Sequence, residues 1–256
     1  MINPDTFRLN MSLNGWHQKY LEILKEFNYD RSREIKSAKI LSSFLNNRFR
    51  IDAIEKKIKN KTVFVIGAGP SLDASLSYLK KFKGITKIVA DGATQALLEN
   101  NIVPDIIVTD LDGNMEFLKR SSELKSIMIV HAHGDNIKRL PYAILFKCSI
   151  GTTEDKPFGK IRNFGGFTDG DRCVFLANHF KASKIILIGM DFGVHIGKYS
   201  KEGEYNKFIK IKKLRKGKSL LEWLASKSNA DLYTTSHPIA GFKNIKLTDL
   251  QRLVRQ

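Results

Sequence analysis

The stretch ADGATQALLENNIVPDIIVTDLDG, residues 90–113, ends two apolar runs in acids. KIVA stops at Asp91. IIVT stops at Asp110, and Asp112 follows one residue later. On an extended strand Asp110 and Asp112 would point to the same side. Two carboxylates so placed repel unless a divalent cation lies between them. Hard oxygen ligands suit Mg²⁺, which keeps waters and bridges to substrate phosphates. A purely structural alternative makes Asp112-Gly113 a turn and Asp110 a helix cap. Three acids at adjacent strand ends favour the cation.

Four further stretches could carry chemistry. VIGAGPSLD, residues 65–73, reads as strand, tight turn and helix start. Gly67 and Gly69 let a ligand approach the backbone, Pro70 suits a first helical turn, and a phosphate could dock on amides near Ser71. The pattern is neither GxGxxG nor a P-loop, so a merely structural turn stays open. HAHGDN supplies His131, His133, Asp135 and Asn136 after a fourth apolar run. HxH raises zinc, but no cysteine is near and HxHxDH is not completed, so base or phosphate contacts are the stronger reading. FGGFTDGDRC holds Phe164, Phe167, Thr168, Asp169 and Asp171 at a helix start. N-capping would explain Thr168 or Asp169, yet the paired glycines and the extra acid also point to a site. GMDFG puts Asp191 after another strand. There is no GxSxG, HExxH or CxxC.

These acids need elements to hold them. VFVI (63–66), KIVA (87–90), IIVT (106–109), IMIVH (127–131) and KIILIG (184–189) are apolar runs of strand length separated by helical patterns. Such runs predict an α/β fold: a mostly parallel sheet covered by helices on both faces, with ligands beyond the carboxyl ends of the strands. Residues 1–60 have helical periodicity, in 16–28 and again in 33–58, and read as an N-terminal helical cap or dimer arm. Residues 61–195 form the α/β core. Residues 196–256 complete the fold with a basic loop (198–218), a helix (219–227), a strand (231–235) and a terminal helix (247–255).

Of 256 residues 42% are hydrophobic, a globular value, and the formal net charge is +17. That charge suits polyanions, or reflects a heat-adapted, lysine-rich composition. With no RNP1 or KH motif, nucleic acid is not the expected partner. MINPDTFRLN has no apolar signal core, no run approaches the roughly 20 residues of a membrane span, and Cys148 and Cys173 are the only cysteines. A reducing cytoplasm is expected, with no membrane association.

Taken in order, VIGAGPSLD, ADGAT, PDIIVTDLDG, HAHGDN, GGFTDGDRC and IGMDFG resemble the archaeal 6-hydroxymethyl-7,8-dihydropterin pyrophosphokinase family, the MptE-like or DUF115 proteins. They span residues 65–193. ADGAT with PDIIVTDLDG, and Thr168-Asp169, also resemble the core of thiamin pyrophosphokinases. The resemblance implies Mg-dependent diphosphoryl transfer from ATP to a hydroxymethyl group on a reduced pterin. It implies Asp91, Asp110 and Asp112 as metal ligands. Gly67, Gly69, Pro70, Ser71, Gly92, Thr168 and Asp169 would then line the nucleotide site. Asp135 would join the catalytic acids, and His133, Asn136, Phe167 and Asp191 would meet the substrate, with Phe164 as a further wall of a flat slot. Residues 207–218 would close over the nucleotide or stay solvated. The same region occurs in flagellin-modifying glycosyltransferases, so a sugar-nucleotide-dependent transferase is the alternative.

Overall fold

The computed structural model describes residues 13–45, 51–200 and 206–255. The MINPDTFRLN segment, residues 46–50 of the 33–58 helical reading and residues 201–205 of the basic segment lie outside the described residues. Strands β1 (Thr62–Ile66), β2 (Thr86–Ala90), β3 (Ile106–Thr109), β4 (Ile127–His131), β5 (Ser149–Thr152), β6 (Ile161–Arg162), β7 (Lys184–Ile188), β8 (Asp231–Thr234) and β9 (Lys243–Asn244) form one sheet. Its order is β6-β5-β4-β3-β2-β1-β7-β8-β9. Every pairing in it is parallel.

The strands are continuous apolar runs because both faces are buried. Val63 and Val65 face one layer, built by helices α1 (Trp16–Phe27), α3 (Asp52–Ile58), α7 (Asp169–His179) and α8 (Lys207–Ala225). Phe64 and Ile66 face the other, built by α2 (Arg31–Phe44), α4 (Leu72–Leu79), α5 (Ala93–Glu99), α6 (Met115–Glu123) and α9 (Leu250–Arg255). The strand order reverses between β1 and β7. That junction is where open parallel sheets place their ligands.

Three expectations change. Residues 207–218 are not a loop: they begin α8, which runs unbroken from Lys207 to Ala225 and starts where the Asn206 side chain accepts from the Ile209 amide. Lysine is a good helix former, and the helix is anchored by Lys216 on Glu26 at 2.8 Å and by Lys212 on the Glu26 carbonyl at 2.8 Å. Asp110 and Asp112 do not share one side of an extended strand. β3 ends at Thr109, and Leu111 sits in the left-handed region at φ 66°. Residues 247–255 divide into a 3₁₀ turn, Leu247–Asp249, and α9.

Candidate active site

The carboxyl ends of β1, β2, β3, β4 and β7 surround a cavity of about 180 Å³, closed on one side by the start of α7 and by α8. At its floor one carboxylate oxygen from each of Asp91, Asp110, Asp112 and Asp169 lies within 4.8 Å of the other three. Asp91 ends β2. Its Oδ2 accepts from the Thr109 hydroxyl at 2.5 Å and from the Gly113 amide at 3.2 Å. Its Oδ1 is buried without a hydrogen-bond partner among the described residues. The left-handed turn at Leu111 brings Asp112 back so that its amide donates to Asp110 Oδ1 at 3.1 Å. Asp169 begins α7. Thr168 is the N-cap, and Asp171 at the third helical position completes a capping box, accepting from the Phe167 amide at 2.6 Å, the Thr168 amide at 2.8 Å and the Thr168 hydroxyl.

Burial, then the neighbouring Asp110 charge, pushes the Asp91 carboxyl up to about 8. Burial, with Asp110 and Asp91, also holds Asp169 well above the usual carboxylate range. Asp110 goes the other way: burial opposes its ionisation, but the hydrogen bond and charge of His133 hold it well below that range. An acid cluster of this kind lacks positive charge. The oxygen-only donor set and the orphaned, buried Asp91 Oδ1 fit a hard divalent cation such as Mg²⁺. No histidine belongs to the cluster. Instead His133 Nε2 meets Asp110 Oδ2 at 3.1 Å, and His131 Nδ1 meets the Thr152 hydroxyl at 3.1 Å, an arrangement unlike a zinc pair.

Behind the cavity Arg172 is buried on Glu154, 2.9 Å from Nη2 to Oε1. It also donates to the Gly166 and Phe167 carbonyls, each at 2.9 Å. This fixes the turn that delivers Phe167 and Asp169.

Of the residues singled out in the sequence, Gly67, Gly69, Pro70, Asp91, Gly92, Asp110, Asp112, His133, Phe167, Thr168, Asp169 and Asp191 line this cavity together. Ser71 lies beside it, with its amide and hydroxyl both donating to Asp191 Oδ2 at 3.0 Å. That amide, expected to receive phosphate, already has an anionic partner. Asp135 is exposed, and its amide donates to His133 Nδ1 at 3.2 Å. Asn136 is buried, donating to the Asp110 carbonyl at 2.8 Å and the His131 carbonyl at 2.7 Å, so it ties β3 to β4. Phe164 packs on His179 and Phe180 beside a different cavity. Tyr29, which sequence reasoning passed over, lines the site, as do Lys210 and Lys213 of the 207–218 segment. The two lysines stand three apart on one helix face; nothing local marked Tyr29.

Residues 38–197 match the family described as 6-hydroxymethylpterin diphosphokinase MptE-like. A curated relative from Methanocaldococcus jannaschii, named 6-hydroxymethyl-7,8-dihydropterin pyrophosphokinase, is 42% identical over 85% of this chain and 97% of its own. Relatives with the same name from Pyrococcus furiosus and Methanothermobacter thermautotrophicus are also 42% identical, over 87% and 84% of this chain and 98% and 95% of theirs. A solved glycosyltransferase from Magnetospirillum magneticum AMB-1 aligns with 80% of this chain and 40% of its own at 16% identity, with a TM-score of 0.49. A likeness that weak carries no argument. No helix among the described residues is long and apolar enough to cross a membrane.

Proposed function

Because the chain belongs to the MptE-like 6-hydroxymethylpterin diphosphokinase family, we propose that it transfers a diphosphoryl group from ATP to the hydroxymethyl oxygen of 6-hydroxymethyl-7,8-dihydropterin. The observation that carries this reading is the convergence of Asp91, Asp110, Asp112 and Asp169 at the carboxyl ends of the strands. These four would hold Mg²⁺. Bound there, it supplies charge neutralisation for the triphosphate.

The chain's own residues position the rest. Gly67, Gly69 and Pro70 on β1's turn, with Gly189 to Phe192 on β7's, form a wall that a nucleotide can approach closely at the switch point. Lys210 faces the same cavity and adds positive charge against phosphate. The hydroxymethyl oxygen bonds to the β-phosphorus while that phosphorus releases the α–β bridging oxygen. AMP leaves with that oxygen, and the hydroxyl proton passes to solvent. The same reading places the enzyme in the cytoplasm with ATP and the reduced pterin as its partners. Residues 1–60 serve as a cap or homodimer arm, 61–195 as the catalytic core, and 196–256 complete it.

The test combines protein, Mg²⁺, ATP and the reduced pterin, then resolves the nucleotides by chromatography. Pterin-dependent AMP is expected. Stoichiometric ADP would mean attack at the γ-phosphorus and remove the diphosphoryl mechanism. No AMP, together with CMP or UDP released from a sugar nucleotide, would move the chain to the glycosyltransferase class.

A further inference from the structure

The cavity has an aromatic corner on the side of β4 and α7. Phe27 follows α1's apolar stripe and Tyr29 lies just past that helix, and both reach over the core to Phe167. Phe27 and Phe167 have ring centroids 4.8 Å apart, and Tyr29 and Phe167 6.4 Å apart at an interplanar angle of 46°. The Lys213 ammonium stands 5.6 Å from the Tyr29 centroid and 5.8 Å from that of Phe167. The fields of Tyr29 and Asp110 favour its charged form. Of these, Tyr29, Phe167 and Lys213 line the cavity. A half-buried ring, a second ring at an angle to it and a cation form a surface for a flat, polar-edged heterocycle.

ATP and its acceptor each carry such a ring, and distance from the reacting phosphorus separates them. Adenine is held away from the β-phosphorus by a ribose and the α-phosphate. The acceptor ring is one methylene from the attacking oxygen, so it must lie against the metal-binding acids. The aromatic corner does. Phe167 is two residues before Asp169, and the His133 imidazole beside it is bonded to Asp110 at 3.1 Å.

We propose that Tyr29, Phe167 and Lys213 form the subsite for the acceptor's heteroaromatic ring, an assignment that rests on the diphosphoryl-transfer reading. Tyr29 and Lys213 both fall outside the 38–197 match. The chain flanking the family core therefore supplies ring recognition, while the core supplies the acids. Lys213 acts as the positioning cation, donating to a heteroatom on the ring edge.

The experiment measures KM for the reduced pterin and for ATP separately in Tyr29→Ala, Tyr29→Leu and Lys213→Met, with retention of the reduced pterin by equilibrium dialysis without nucleotide. Tyr29→Leu keeps apolar bulk and guards against misfolding, which a thermal melt reports. Loss of the ring face is expected to raise the pterin KM about tenfold or more, leave the ATP KM within about twofold and weaken pterin retention in parallel. Lys213→Met is expected to raise the pterin KM in the same direction. A folded Tyr29→Leu with unchanged pterin KM and retention overturns the subsite, and so does a rise in the ATP KM alone. Those two results leave diphosphoryl transfer standing. Wild-type protein that neither retains the pterin nor forms AMP with it overturns both.

Discussion

His133 Nε2 lies 3.1 Å from Asp110 Oδ2, joining the ends of β4 and β3. Asp110 is held well below the ordinary carboxylate range, and the hydrogen bond and charge of His133 hold it there against burial. The imidazole thus orients a carboxylate of the proposed metal site from outside the four-acid cluster. Partners of that kind typically contribute about 10–100-fold to metal affinity or activity. His133→Ala is expected to raise the Mg²⁺ concentration for half-maximal turnover by about that factor while the protein stays folded. Rates measured across a Mg²⁺ series check this; an unchanged Mg²⁺ requirement removes His133 from that role.

Gly113 is held against Asp91 by its amide bond to Oδ2 at 3.2 Å. A Cβ there would stand 2.0 Å from Asp91 Oδ1. Gly113→Ala must push the carboxylate or its own turn aside. It is expected to cost about 1–3 kcal/mol of stability, as overpacking does, and to abolish turnover. Retained activity with an unshifted melting temperature would contradict the crowding at Oδ1.

Burial, then the neighbouring Asp110 and Asp91 carboxylates, push Asp169 well above the usual carboxylate range. In metal-free buffer near neutral pH Asp169→Asn is expected to leave the melting temperature equal or higher, since Asn keeps the shape without a carboxyl whose ionisation the fold opposes. In wild type, Mg²⁺ at about 100 times its Kd is expected to add about 2.7 kcal/mol of stability, reversed by chelation. That increment is expected to shrink in Asp169→Asn, together with turnover. Equal Mg²⁺-induced melting shifts in the two proteins would take Asp169 out of the metal site.

The parts of this architecture that were legible in the sequence share one cause. β1, β2, β3, β4 and β7 are buried on both faces, so each appears as an unbroken apolar run, and the acids that end β2 and β3 mark their carboxyl ends. β5 reads SIGT and β6 and β9 are two residues each, too short and too polar to stand out. α8 hid behind its lysines, whose partners lie far off in sequence, on Glu26 and Tyr29. The same distance hid the aromatic corner. Phe167 was visible beside Thr168-Asp169, whereas Tyr29 reaches the site only because α1 packs on α7, through Trp16 against Phe175 with centroids 5.4 Å apart. Asp169 stood out as an acid at a helix start, but its place with Asp91, Asp110 and Asp112 depends on the depth at which α7 enters the sheet.

Glu34 offers a test by pH. It is 5% exposed, and burial, then the Glu154 charge, pushes its carboxyl from 4.5 to about 7. Between those values the folded chain holds a proton that the unfolded chain has released. Glu34 therefore makes stability fall as pH rises from about 4.5 to about 7, by up to about 3 kcal/mol. Glu34→Gln keeps an acceptor for the Gly134 amide, which Glu34 Oε1 now takes at 3.0 Å. Urea unfolding at pH 5 and pH 8 is expected to show a smaller loss in the variant than in wild type, with the variant more stable at pH 8. Parallel pH profiles would mean that Glu34 is already solvated.

Arg172 and Glu154 are 3% and 5% exposed, 2.9 Å apart. Removing only the cation leaves a buried carboxylate without its partner, which costs about 3–5 kcal/mol. Arg172→Met is therefore expected to be strongly destabilised, and Arg172→Met with Glu154→Gln to recover part of the loss. The Gly166 and Phe167 carbonyls, each 2.9 Å from the guanidinium, lose their donor in both variants. Those carbonyls belong to the turn that delivers Phe167 and Asp169, so stability and site geometry separate here. The double variant is expected to regain melting temperature without regaining the Mg²⁺-induced shift. If it regained both, Arg172 would serve only to neutralise Glu154, and the turn would hold Asp169 in place unaided.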